Sequence, residues 1–230
     1  MQTTPGERLS IIVPMLNEAE VLPQLLAQLS VYSARGCEIM LIDGGSTDDS
    51  DTLARKAGFT VLNAQRGRAR QMNAGVTFAT GDIFLFLHAD TLLPDSADSL
   101  IQEALRKNRA GWGRFDVQIT GESLWLPVIA SMMNLRSRLS GIATGDQAIF
   151  VQRDLFNEAG GFPDQPLMED IELSRHLKEF LPPIRLRAKV TTSGRRWETR
   201  GVIRTVILMW RLRLAYYLGV PAESLARTYR

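Results

Sequence analysis

Short runs of consecutive apolar residues recur through the first ninety positions, separated by stretches in which apolar residues stand three and four apart. Leu9 to Val13 is such a run, ended by Pro14, and Ile39 to Ile42 is another, ended by Asp43 and two glycines. Runs of this length without polar alternation predict strands buried on both faces. Between them Val21, Leu22, Leu25, Leu26 and Leu29 repeat at helical spacing, and Ser46 to Ala57 predicts a second helix with the acid-rich first turn that the macrodipole favours. Thr60 to Leu62 reads as a third strand and Ala69 to Phe78 as a third helix. Ile83 to Leu87 is an entirely apolar fourth strand that ends at His88-Ala89-Asp90. Strand and helix alternating in this way predict an α/β fold, a mostly parallel sheet flanked by helices, with ligands at the carboxyl ends of the strands. Pro14, Asp43 and Asp90 all fall at such ends.

Beyond Pro94 the pattern changes. A helix to about Lys107 is followed by Phe115, Val117 and Ile119 alternating with polar residues, the signature of a half-exposed strand. Leu124 to Leu139 predicts a helix, Ala148 to Val151 a short strand, and Ile171 to Leu181 a helix stopped by Pro182 and Pro183. Val202 to Leu218 is strongly apolar but carries Arg204, Arg211 and Arg213, which makes a bilayer span expensive. It reads as an amphipathic helix, expected to pack on the body rather than lie at a membrane surface, although the second arrangement stays open. With no internal repeat and no Gly-, Ser- or Pro-rich linker, residues 1–230 read as one domain, a first half of about 1–108 and a second of about 109–230.

Composition narrows the function classes. The 230 residues are 45% hydrophobic and 23% charged, ordinary for a globular chain and unlike a disordered one. A single cysteine, Cys37, excludes an internal disulfide framework and a cysteine-clustered metal site. The polar N-terminus lacks a secretory signal pattern, so the chain is expected in the cytoplasm, with Val202 to Leu218 as a peripheral contact at the inner face of the membrane. The net charge of +2 conceals an asymmetry: residues 1–170 hold 14 Lys/Arg against 21 Asp/Glu, net −7, and residues 171–230 hold 13 against 4, net +9. A basic tail suits phosphorylated substrates or an anionic membrane surface. It carries neither the aromatic pattern of an RNA-binding sheet nor zinc-finger spacing, so no nucleic-acid partner is expected.

The chemistry concentrates at the strand ends. In Asp43-Gly44-Gly45-Ser46-Thr47-Asp48-Asp49 a carboxylate closes a strand and two glycines let the backbone turn tightly. Backbone amides there suit anions, and Asp43 suits a base edge or a ribose hydroxyl. An ordinary capped strand-to-helix turn would look the same. What favours a site is repetition, since Asn17, Glu18, Asp43 and Asp90 converge on one edge of one sheet. Asp90, with two nucleotide phosphates and waters, matches the way Mg²⁺ or Mn²⁺ is commonly held; His88 is read as a hydrogen-bonded group outside that metal shell. Glu169-Asp170 opens an apolar-faced helix, where adjacent acids either cap it or provide a general base. Gly145-Asp146-Gln147 is a third polar turn, with donors and acceptors suited to an acceptor's hydroxyls.

In their order along the chain these positions resemble the inverting family-two glycosyltransferases of the GT-A fold, and within them a small bacterial subgroup without a large membrane domain. The resemblance runs from Leu9 to about Tyr229. It rests on Ile11-Ile12-Val13-Pro14 with Asn17-Glu18, the Asp43 turn, Arg70 with Asn73-Ala74-Gly75, His88-Ala89-Asp90, Gly145-Asp146-Gln147 and Glu169-Asp170. It implies a GT-A-like, Rossmann-type sheet with a C-terminal acceptor region, and transfer of a sugar, of the hexosyl class, from a nucleotide-diphosphate sugar to a hydroxyl acceptor, small or lipid-linked. By position it implies that Pro14, Asn17, Glu18, Asp43 and Gly44 line the donor pocket, that Arg70 lies near base or phosphates, and that Asp90 is the metal-binding acid of the family's Asp-x-Asp motif. His88 stands where that motif's first acid belongs, a departure that puts the usual ribose contact in doubt. Asp170 would be the base, Glu169 its neighbour, and Gly145, Asp146 and Gln147 acceptor contacts. Mechanistically this is a single displacement with inversion, assisted by Mg²⁺ or Mn²⁺.

The segment Thr192-Ser193-Gly194-Arg195-Arg196-Trp197 adds a candidate clamp, in which Arg195 and Arg196 suit a phosphate and Trp197 a sugar face. The C-terminal helix also offers a surface for pairing with a second copy. A sugar nucleotidyltransferase is disfavoured because Pro14-Met15-Leu16-Asn17 is no glycine-rich phosphate loop, and a dinucleotide oxidoreductase because Gly111-Trp112-Gly113 lacks the third glycine. The remaining alternative is a non-catalytic nucleotide-sugar-binding or membrane-surface module, which would bind donor without hydrolysing it.

Overall fold

In the computed structural model, which describes residues 7–108 and 111–229 but not the side chains of Arg196 and Arg200, the apolar runs become the centre of one eight-stranded sheet. Strands β1 (Leu9–Met15), β2 (Glu38–Asp43), β3 (Thr60–Asn63) and β4 (Ile83–Phe86) lie in the order β3-β2-β1-β4, all parallel. They are joined by α1 (Leu22–Ala34), α2 (Ser50–Lys56) and α3 (Arg68–Phe78). Every residue of β1 and β4 is buried, because helices cover both faces of the sheet. Leu9, Ile11 and Val13 pack on one side with Leu22, Leu25 and Leu29 of α1, while Ile12 and Ile42 pack on the other with Met72 of α3, Phe84 and Phe86. The register sets Met15 beside Asp43 and Asp43 beside Asn63, so the carboxyl ends of three strands finish level.

The second half extends the same sheet. After the two-residue β5 (Thr91–Leu92) and α4 (Ala97–Asn108) come β6 (Trp112–Thr120), α5 (Leu126–Ser140), a 3₁₀ turn over Gly145–Gln147, β7 (Ile149–Gln152), α6 (Arg153–Glu158), α7 (Glu169–Phe180) and β8 (Ile184–Ser193). β7 runs antiparallel to β4 with Ile149 opposite Phe86, which drops the Gly145–Gln147 turn at the carboxyl end of β4. β8 lies parallel to β6 and antiparallel to β5, pairing Thr192 with Thr91. The chain ends with α8 (Arg195–Arg200), α9 (Val202–Tyr217) and α10 (Ala222–Tyr229).

Four expectations change. The helix expected from Ser46 starts at Ser50 instead, since the carboxylates of Asp43 and Asp48 capture the backbone N–H groups of Ser46 and Ser50 in turns that compete with helix. The strand around Phe115 is half-exposed only toward its end, at Gln118 and Thr120; Arg114 and Asp116 at its earlier polar positions are buried as an ion pair, and Arg138 of α5 holds the other carboxylate oxygen. β8, the longest strand among the described residues, was not expected at all. Finally, α9 packs on the body through Thr205 and Leu212 but leaves Ile203, Ile207, Trp210, Leu214 and Tyr217 exposed, so its apolar side is largely uncovered. Among the described residues no helix is long and apolar enough to cross a membrane.

Candidate active site

At the carboxyl ends of β1, β2 and β4 two loops are stitched together by their polar side chains. Asn17, held at a left-handed φ of 54°, accepts the Thr47 N–H through Oδ1 at 2.8 Å and donates its own N–H to Ser46 Oγ. The N–H groups of Glu18 and Ala19 are taken by Ser50 Oγ and Asp48. Asp43 is buried and accepts the N–H groups of Gly45 and Ser46 within its own turn. Gly44 donates to the Met15 carbonyl, and a Cβ there would meet Gln71 Oε1 at 2.9 Å, so the glycine allows Gln71 to tie the ends of β1 and β2 together. Pro14 is buried in β1 beneath these loops.

Beside them opens a cleft of about 1060 Å³, lined by Glu18, Asp90, His88, Gly145, Glu169 and Asp170 among others. His88 follows β4 and lies directly on the Gly145 backbone: a Cβ at Gly145 would sit 2.2 Å from imidazole carbon and nitrogen. Its Nδ1 is 3.4 Å from Asp146 Oδ1. The Gly145 N–H donates to Asp170 Oδ2 at 2.8 Å, and the Ile171 N–H donates to Oδ1. Three motifs spread over some eighty residues of sequence, from His88 to Asp170, are thus one packed unit. Glu169 is buried; burial first, then the charge of Asp170, pushes its carboxyl above the ordinary 4.5, while Arg68 and His88 oppose the shift. The bulky Met168 before it is held at a φ of 66°, a conformation costly for such a side chain. Leu167, Leu212 of α9 and Leu225 of α10 surround it, so the C-terminal helices fix where Glu169 and Asp170 stand.

Along the strand-end wall Glu18 is raised by burial and next by the Asp90 charge, and lowered by Arg195, Arg68 and His88. Among the described residues its Oε2 is buried without a hydrogen bond and is reached by a 3.5 Å ionic contact from Arg195. β8 pins this wall: the Ser193 N–H donates to the Asp90 carbonyl, and Thr91 Oγ1 donates to Thr192. Arg195, at the start of α8, also pairs with Glu20 at 2.8 Å, and Trp197 lines the cleft. Among the described residues no three metal-type ligands cluster. One or two carboxylates, with an orphaned oxygen between repelling acids, nonetheless fit a Mg²⁺ or Mn²⁺ whose other positions are filled by phosphates and water.

The sequence positions do not all converge. Arg70 points away, paired at 2.7 Å with Asp164, while Arg68 two residues earlier lines the cleft and faces Glu18 and Glu169. Gln147 is wholly buried, turned toward the Phe115 carbonyl and Asn134, and its side chain serves the turn instead of the cleft. Pro14, Asn17, Asp43 and Gly44 build the loops beside the cleft without lining it, and the Arg196 side chain lies outside the described residues. Sequence reasoning missed Arg68, together with Arg136 of α5 and Arg213 of α9, which line the cleft within electrostatic reach of Asp146 and Asp170. The alternating arginines of Arg66-Gly67-Arg68-Ala69-Arg70 were the only hint of the first.

The family profile described as Glycosyl transferase family 2 matches residues 10–160. Among curated proteins, an undecaprenyl-phosphate 4-deoxy-4-formamido-L-arabinose transferase of Klebsiella pneumoniae is 30% identical over 156 residues, covering 62% of this chain and 47% of its own length. The chain therefore spans about half the length of such relatives. Among solved structures, glucosyl-3-phosphoglycerate synthase of Mycobacterium tuberculosis with Mn²⁺, UDP-glucose and phosphoglyceric acid has a TM-score of 0.67 at 17% identity, covering 94% of this chain and 81% of that one. The mannosyltransferase PcManGT of Pyrobaculum calidifontis, in complex with GDP-mannose and Mn²⁺, scores 0.65 at 22% identity, covering 94% and 63%. At such identities these structures establish the GT-A fold alone.

Proposed function

We propose, from the premise that this chain belongs to glycosyl transferase family 2, that its cleft transfers a sugar from a nucleotide-diphosphate sugar to a hydroxyl acceptor with inversion at the anomeric carbon. The observation that supports the reading is that two acid pairs line one cleft: Glu18 with Asp90 on the strand-end wall, and Glu169 with Asp170 at the start of α7. The donor lies on the first wall, beside the stitched loops and within reach of Arg68 and Arg195. The acceptor enters on the second. Asp170, oriented by the Gly145 and Ile171 N–H groups, takes the proton of the attacking hydroxyl, and Glu169 beside it stays buried. His88 serves both acid pairs, touching Gly145 and drawing down the carboxyls of Glu18 and Glu169 alike.

Asp90 would hold Mg²⁺ or Mn²⁺ together with the donor's phosphates, the cation supplying positive charge where the leaving diphosphate becomes more negative. The proteins of this fold solved with Mn²⁺ and a nucleotide sugar support that assignment by analogy. Uncovered apolar residues on α9, with Arg204 and Arg211 on the same helix, support peripheral contact with an anionic lipid surface.

The test separates the two walls. In calorimetry with nucleoside diphosphate and Mn²⁺, Asp90→Ala loses affinity whereas Asp170→Asn keeps it within about twofold. In donor hydrolysis and transfer, Asp170→Asn is slowed by about 10²- to 10⁴-fold, the range of a general base. Equal nucleotide affinity in wild type and Asp90→Ala contradicts the donor assignment. Undiminished turnover in Asp170→Asn contradicts the base.

A further inference from the structure

The cleft also holds buried positive charge whose N–H donors are in part unpaired among the described residues. Arg136 comes from α5 and Arg213 from α9, and both line the cavity. Nε and Nη2 of Arg136 and Nε of Arg213 are buried from solvent with no hydrogen-bond partner among the described residues. A buried guanidinium lacking such partners is costly, and the charge of Arg213 reaches Arg136. Burial, then the charge of Arg213, pulls Arg136 down to about 10, and Arg213 is lowered by burial as well; Asp170 and Asp146 are the acids that oppose both shifts. Both arginines thus line the cleft within electrostatic reach of Asp170 and Asp146. Around them the cavity is apolar, with Met132, Leu139, Val206 and Trp210 contributing, and it opens toward exposed apolar residues of the two helices.

Two convergent guanidinium groups with unused N–H donors are the partners a phosphate's oxygens require, and planar forks of this kind bind such oxygens in pairs. We propose that Arg136 and Arg213 form a subsite for a phosphate ester carried by the acceptor. The proposal deepens the reading of the Asp170 wall as the acceptor side. The phosphate belongs either to a lipid headgroup, whose tail follows the apolar opening between α5 and α9, or to a small phosphorylated acceptor. In both cases an anion offsets charges that otherwise weaken the fold, so the subsite explains why two such arginines are tolerated in an apolar cavity.

Calorimetry on the whole chain with octyl phosphate, glycerol phosphate, neutral octyl glucoside, and nucleoside diphosphate with Mn²⁺ tests this. At least one phosphate ester binds wild type, octyl glucoside does not compete with it, and Arg136→Gln and Arg213→Gln each weaken it tenfold or more while nucleotide affinity stays within about twofold. Tighter binding of octyl phosphate than of glycerol phosphate identifies the lipid source, and equal or weaker binding the soluble one. Without ligand, Arg136→Met raises Tm by several degrees, because an unpaired charge leaves the interior. Phosphate esters that fail to bind, or bind equally to both variants, overturn the proposal. So does a variant that loses nucleotide and keeps phosphate, which would give the arginines to the donor, or a fall in Tm in Arg136→Met. If the esters bind through both arginines but wild type takes up no nucleotide, the donor assignment fails and the anion subsite stands.

Discussion

The contact between His88 and Gly145 joins the end of β4 to the Gly145–Gln147 turn, and it can be broken by a single methyl group. A Cβ at residue 145 would lie 2.2 Å from both Cε1 and Nε2 of His88. Non-bonded carbon contacts sit at roughly 3.5–4.0 Å, so in Gly145→Ala the imidazole has to withdraw by more than an ångström. Its side chain is only 13% exposed and its Nδ1 is engaged with Asp146, so there is little room for that movement. Overpacking of this kind costs about 1–3 kcal/mol, and a chain of this length loses about 2–4 °C in Tm per kcal/mol, so a fall of roughly 2–12 °C is expected. The diagnostic arm is His88→Ala, which opens the space the methyl needs. Combined with it, Gly145→Ala should cost almost nothing further, giving a coupling of about 1–3 kcal/mol in a double-mutant cycle followed by urea or thermal unfolding. Stability losses that add to within about 0.5 kcal/mol would refute the contact and with it the joining of β4 to that turn.

Two further predictions concern buried charge. Asp116→Ala strands Arg114, only 1% exposed, without its carboxylate and should destabilise by about 3–5 kcal/mol, whereas Arg114→Met with Asp116→Leu should recover most of the loss; calorimetric unfolding that shows no recovery contradicts the pairing. Glu169 has a folded pKa above its ordinary 4.5, so the folded protein binds the proton more tightly and stability falls as pH rises from 4.5 through the raised value. Glu169→Gln should therefore raise Tm at neutral pH and lose that advantage in acid, and an advantage that instead grows on acidification reverses the sign of the argument.

The parallel core was readable because β1, β2 and β4 are buried on both faces, so burial alone dictates their uninterrupted apolar runs. The acids Glu18, Asp90, Glu169 and Asp170 were readable for a related reason, since each stands at or just beyond the end of an element whose apolar pattern marks its limit. β8 was legible in principle. Ile184, Leu186, Ala188 and Val190 alternate with Arg185, Arg187 and Lys189, but the basic positions read as part of a charged tail. The burial of Arg114 and Asp116 was not legible, because it depends on Arg138 arriving from a helix twenty-two residues further on. The choice of Arg68 over Arg70 depends on where α3 begins, and local sequence leaves helix ends uncertain by a residue or two. Arg136 and Arg213 belong to helices that meet only in the folded chain, so neither sequence neighbourhood marks them as a pair.

The central claim is that Asp90 and Asp170 face a shared substrate across one cleft. Anomalous diffraction from crystals soaked with Mn²⁺ and a nucleoside diphosphate tests it most directly. The expected result is a manganese peak bound to Asp90, with the diphosphate beside it and the space between it and Asp170 left for sugar and acceptor. Manganese held by Glu169 and Asp170, or a nucleotide bound outside the cleft, would contradict it.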